Sequence, residues 1–286
     1  MTSTPSRTAE RAELIRGLGA LCERPDRASE RIADVLNLPE PDPVDHTDLF
    51  VQQLPPYASV YLDEAGKIGG EARDRIAGFW RAMHLTPPPE PDHLASLFFL
   101  WSSISDQAVS ERDPERRSLL EHAAMALVRE HVASWLAPYL TRVSELSERY
   151  RSWASLVAAV VEDTLVTARG TAALPVHLAV EPRSLEGPVD LVAFLLTPIR
   201  SGMILTRADL KRAAGESGLA IRVGERAFVL RSLLEQDAGA ITEWMADEAR
   251  RQADLYASAS VAPAIAAEWS RRATRTRDLI APRSTN

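Results

Sequence analysis

Two short segments hold most of the side chains that could do chemistry. The first carries Tyr57, Tyr61, Asp63 and Glu64, and the second, about thirty residues on, carries Glu90, Asp92 and His93. Carboxylates beside phenols and an imidazole can accept hydrogen bonds from a cationic guest and stack on its planar groups. Each residue also has an ordinary reading. Asp92 stands where the N-cap of the next helix would fall, a position worth about 1 kcal/mol. Tyr57 and Tyr61, one helical turn apart, could simply pack on a core with their hydroxyls in water.

Other chemistry is poorly represented. The chain has no GxxxxGK[ST] loop, no GxGxxG, no GxSxG and no HExxH. His122 and His131 are nine residues apart on one helical stretch, which at about 100° per residue puts them on opposite faces. Asp92-His93 reverses the His-Asp order of helical metal phosphohydrolases, and the extra spaced histidines of such a site are missing. Cys22 is the only cysteine, so no intrachain disulfide or thiolate zinc site can form, and its place in an apolar stripe suits packing. No metal, no cofactor and no enzymatic activity are expected.

Helical periodicity dominates the elements that must position these residues, and no alternating run predicts a sheet. A first helix carries Leu14, Ile15, Leu18, Leu21 and Cys22, and a second carries Ile32, Val35 and Leu36. After a turn near Asp48–Phe50, Pro55 and Pro56 force an extended entry into Tyr57–Asp63. A helix with Ile76, Phe79, Trp80 and Met83 follows, then the proline-dense loop from Pro87 to Pro91. Beyond Asp92 comes an apolar helix beginning at Leu94. Long helices are expected over 114–145, with a kink at Pro138, and over 150–167. Gly170, Pro175, Pro182 and Gly187 mark 169–188 as a linker. Further helices are expected over 189–196, 206–215, 225–236, 241–257 and 261–279. The expected organisation is therefore an all-α domain over 1–168, a linker over 169–188, and a C-terminal helical extension over 189–286.

The 286 residues are 45% hydrophobic, enough for one large core or a main domain with a smaller one, and the formal charge of −7 disfavours nucleic acid. The polar N-terminus has no apolar segment after it, and no uncharged stretch reaches the ~20 residues of a bilayer span. A cytoplasmic protein with no stable membrane insertion is expected.

Three segments, in order, resemble the TorD/DmsD family of leader-binding chaperones. They are Pro55-Pro56-Tyr57-Ala58-Ser59-Val60-Tyr61-Leu62-Asp63, Glu90-Pro91-Asp92-His93-Leu94, and His131-Val132-Ala133-Ser134-Trp135-Leu136. The family often places one residue between the proline and the aspartate of the second motif, so Glu90 does not simply inherit the role of the family's glutamate. The resemblance implies a TorD-like helical bundle that binds the twin-arginine leader and precursor of a molybdopterin oxidoreductase subunit before export. Such proteins occur as monomers or domain-swapped dimers. A leader of this kind presents two guanidinium groups followed by an apolar segment. On that reading Tyr57, Tyr61, Leu62, Asp63, Trp80, Asp92, His93 and Leu94 form the peptide site, with the carboxylates taking arginine and the aromatics lining a groove. The alternatives are a nitrate-reductase-type assembly factor acting on the enzyme core without the arginine pair, a nucleotide hydrolase, and a DNA regulator.

Overall fold

The computed structural model describes residues 7–167, 173–181 and 191–281. Those residues are all-α, with no strand and one isolated antiparallel bridge between Tyr57 and His93. Of the expected 169–188 linker, 169–172 and 182–188 lie outside the described residues.

Helix α1 (Arg7–Ala20) packs along α6 (Leu94–Ser110), and Gly19 makes the close approach possible. A Cβ at Gly19 would sit 2.9 Å from the Phe98 Cβ. Helix α2 (Arg27–Val35) starts at Asp26, whose side chain caps the Ala28 and Ser29 amides. Helix α3 (Pro43–His46) runs directly into a π-helical stretch, Thr47–Gln53, where the sequence pattern suggested only a turn. Helix α4 (Ala58–Leu62) follows the double proline, and α5 (Gly70–Ala82) and α6 come next.

Helix α7 (Pro114–Ala126) widens into a second π-helical stretch, Leu127–Ala133, before α8 (Ser134–Leu146) and α9 (Glu148–Thr167). Pro138, where a kink is expected, sits inside α8, just downstream of this stretch. Proline has no N–H for the carbonyl four residues earlier. That carbonyl, Ser134 O, instead accepts the Trp269 indole N–H at 2.9 Å. Trp269 belongs to α16 (Pro263–Ile280), so a defect in one helix becomes an anchor for another.

The C-terminal part comprises α10 (Val176–Ala179), α11 (Leu191–Leu196), α12 (Pro198–Ser201), α13 (Arg207–Glu216), α14 (Arg226–Gln236), α15 (Ala238–Ala257) and α16. Two apolar clusters result. The larger takes α1, α4–α6, α8 and α9, together with Leu178, Tyr256, Ile265 and Trp269. The smaller is built from Phe194, Met203, Leu210, Leu230, Leu233, Ile241 and Met245. Gly202, at φ 71°, lets α12 lie against α16, where a Cβ would meet the Ala273 nitrogen at 2.2 Å.

A buried polar seam joins the two clusters. Arg142 on α8 donates from Nη2 to both carboxylate oxygens of Asp209 on α13, at 2.7 and 2.6 Å, while its Nη1 pairs with Glu145. Asp209 also completes the Thr206 capping box, and Arg212 links it to Glu248 on α15. Removing Asp209 takes one of two carboxylates from the buried Arg142, which keeps Glu145, and opens the α13 capping box, at a cost of about 3–5 kcal/mol. Asp209→Ala should therefore lower stability by about 4 kcal/mol in urea unfolding followed by circular dichroism. Asp247→Ala, in the exposed Arg250 pair, should cost under about 1 kcal/mol. Equal effects of the two would contradict the seam.

Candidate functional site

After the double proline, where Tyr57 N donates to Pro55 O at 2.9 Å, Tyr57 keeps β geometry at φ −116° and ψ 125°. This strip crosses the entry to α6 antiparallel. Ala58 N donates to Asp92 O at 3.0 Å, and Leu94 N donates to Pro56 O at 2.8 Å. The crossing places the Tyr57 ring edge-on to the His93 ring, with centroids 4.8 Å apart.

Asp92 lies at the heart of the crossing and is only 1% exposed. Its Oδ2 accepts from the Ser59 hydroxyl at 2.5 Å and the Ser59 amide at 3.2 Å. Ser59 Oγ in turn accepts the Gly69 amide at 3.1 Å. The N-cap predicted for Asp92 belongs to His93 instead, whose Nδ1 accepts from Ala95 N at 3.2 Å. The reason is topological: Ser59 lies across the crossing and takes the carboxylate away from the helix start.

The remaining predicted residues divide between core and surface. Tyr61 is buried, stacked on Trp135 at 5.1 Å and 2°, and its hydroxyl donates to Pro55 O at 2.9 Å. Leu62 and Leu94 are core residues. Trp80 is buried against Phe99, with ring centroids 6.4 Å apart. Asp63 is turned away from Tyr57. Its Oδ1 accepts from Ala65 N at 2.9 Å, and it lines a separate cavity of about 440 Å³ with Arg75 and His177. Tyr57, Asp92 and His93 are thus brought together, with Tyr61 and Leu94 behind them, whereas Leu62, Asp63 and Trp80 lie outside the cleft at the crossing.

That cleft has a volume of about 370 Å³. Its wall is Phe50, Val51, Pro55, Pro56 and Ile68, and Val51 and Ile68 are 62% and 60% exposed. Its rim carries Glu23, Arg24 and Glu90, and neither carboxylate is in a salt bridge among the described residues. Burial pushes the Glu23 carboxyl up, and repulsion from Asp26 and Glu90 adds to it. Tyr57 is likewise raised, by burial first and then by its hydrogen bond to Glu90. Glu23 escapes sequence reading because it lies in the turn after α1, far from either motif, and nothing local distinguishes it from a solvated surface glutamate. Two like charges held beside an apolar, aromatic wall can receive a cationic, partly apolar guest. Among the described residues no group of three or more His, Cys, Asp or Glu side chains is placed to hold a metal ion. None of their helices is long and apolar enough to cross a membrane.

Residues 30–140 match the model of a family described as nitrate reductase delta subunit. No curated protein and no solved structure matches the chain. The matched segment contains the whole crossing, with Tyr57, Ser59, Glu90, Asp92 and His93, but not Glu23 or the C-terminal helices.

Burial holds the His93 imidazole below its ordinary value of 6.5, against the opposing pull of Glu90 and Asp92. The neutral ring is also the form whose Nδ1 can accept from Ala95. A depressed folded pKa means the ring's contribution to stability is complete above 6.5 and is lost as pH falls towards the folded value. An NMR titration of the His93 ring should therefore give a midpoint below 6.5, moving lower in Glu90→Gln. A midpoint above 6.5 would contradict the buried, capping imidazole.

Proposed function

We propose that this chain, whose residues 30–140 match the family described as nitrate reductase delta subunit, is a non-enzymatic chaperone for the twin-arginine leader of a redox-enzyme precursor. The client is a molybdopterin oxidoreductase subunit, held in the cytoplasm until its cofactor is in place. On this reading 1–168 is the chaperone domain and 189–286 an accessory helical region.

The observation that carries the reading is the cleft's make-up: Glu23 and Glu90, neither in a salt bridge among the described residues, stand beside Tyr57 and His93, with an apolar wall running away from them. Guanidinium groups relieve the repulsion between the carboxylates and stack on the Tyr57 ring, while the leader's apolar segment covers Val51 and Ile68. Asp92, Tyr61 and Leu94 act from behind by holding the two loops in register. Charge-assisted hydrogen bonds at a partly exposed rim are worth about 1–2 kcal/mol in all, roughly a tenfold change in affinity.

The family description names nitrate reductase, which favours a second reading: an assembly factor that grips the enzyme core and ignores the arginine pair. One titration separates the two. A labelled leader peptide from a redox-enzyme precursor encoded beside this chain should bind about tenfold more tightly than the same peptide with both arginines replaced by glutamine. Glu23→Gln/Glu90→Gln should abolish that difference while leaving helicity unchanged. Equal affinity of the two peptides for the unaltered protein would sink the leader reading in favour of the second.

A further inference from the structure

Val51 and Pro55 line the leader cleft on one side and a larger groove, of about 930 Å³, on the other. The groove lies between the 51–67 segment and helices α11, α13 and α14. Its charge is opposite in sense to the cleft's. Lys67, Arg207, Arg226 and Arg231 line it, against Glu64 and Glu225. In a chain of net charge −7 this is a local excess of positive charge.

None of the four cations forms a salt bridge among the described residues. Arg207 donates to the Gly224 carbonyl at 2.8 Å and Arg226 to the Leu205 carbonyl at 2.6 Å. Their neighbours behave differently: Arg142, Arg212 and Arg251 are each held by carboxylates. Burial, with Arg207 nearby, pulls the Arg226 guanidinium below its ordinary value, as expected for a half-buried cation with no anion in contact.

The backbone adds to this field. Helix α14 begins at Arg226, and its N-cap residue, Glu225, makes no side-chain capping bond. The first turn, Arg226 and Ala227, therefore faces the groove at the positive end of the helix dipole. By contrast α13, which starts beside the same groove, has its N-terminus closed by the Thr206–Asp209 capping box. An unpaired cation set and an uncapped helix N-terminus at one place both favour an anionic occupant.

We propose that this groove binds an acidic segment of the same client peptide whose basic, apolar part occupies the Tyr57–His93 cleft. The proposal rests on the leader reading for the peptide's other end. The apolar lining from Val51, Pro55, Val192 and Leu196 between the charges suits an extended peptide better than a nucleotide or a nucleic-acid backbone.

The test uses the full chain and three fluorescent peptides at low ionic strength. The first is the twin-arginine leader followed by Glu-Ala-Glu-Glu, the second the same leader followed by Gln-Ala-Gln-Gln. The third is the acidic tail on a neutral spacer with no leader. The acidic tail should improve leader affinity roughly tenfold, and the gain should shrink as salt rises. Lys67→Gln/Arg231→Gln, which alters two exposed side chains, should remove the gain without changing the glutamine-tailed affinity. Arg226→Gln, if it folds, should do the same. Equal affinities for the two tails, or a gain that survives Lys67→Gln/Arg231→Gln, would overturn the proposal. So would displacement of the third peptide by ATP or a DNA duplex that binds more tightly than it does. If neither leader peptide binds but the third binds only the unaltered protein, the groove assignment stands and the leader reading alone fails.

Discussion

The structure turns on a buried carboxylate. Asp92 is taken out of water where two loops cross, and a desolvated carboxylate is tolerable only when hydrogen-bonded. Ser59 meets that demand at Oδ2, with both its hydroxyl and its amide, and this ties the residues following the double proline to the start of α6; Oδ1 is buried with no hydrogen-bond partner among the described residues. The backbone bonds from Ala58 to Asp92 and from Leu94 to Pro56 then fix the register. Tyr57 meets His93 as a consequence of that register, and the cleft with its two glutamates is the surface the crossing leaves open. Tyr61, stacked on Trp135 and edge-on to Tyr139, seats the same loop on the core from below.

The C-terminal helices depend on a second set of constraints that lead to the same place. Pro138 withholds an N–H from Ser134, and Trp269 supplies one. Arg142 reaches from α8 to Asp209, and Arg272, 1% exposed, ties α16 to the Leu178, Val180 and Ile199 carbonyls. These links hold α13 and α14 beside the segment that leaves the cleft, so cleft and groove are neighbouring parts of one preorganised surface.

The helices were legible because apolar spacing is a local property, and most were placed to within a few residues. The family motifs were legible for a similar reason: they are short runs, and the matched segment, residues 30–140, contains them. What escaped depends on contacts distant in sequence. Asp92 read as an N-cap because its partner, Ser59, lies 33 residues away. Two π-helical stretches read as a turn and as regular helix, since residue type does not report a widened hydrogen-bond ladder. Tyr61, Leu62 and Trp80 have the composition of a groove wall and of a core alike, and only their burial separates the two. Glu23 and the groove cations looked like ordinary surface charge until the fold placed them.

The central claim is that the crossing of the two loops creates the place where the leader's arginines lie. Its most direct measurement is photo-crosslinking with a leader peptide carrying benzoylphenylalanine beside the arginine pair, followed by mass spectrometry of the adducts. The account predicts that labelling concentrates on Glu23, Tyr57, Glu90 and His93 and falls when unlabelled leader is added. Competable labelling confined to the far faces of α15 and α16, with none at the crossing, would contradict it.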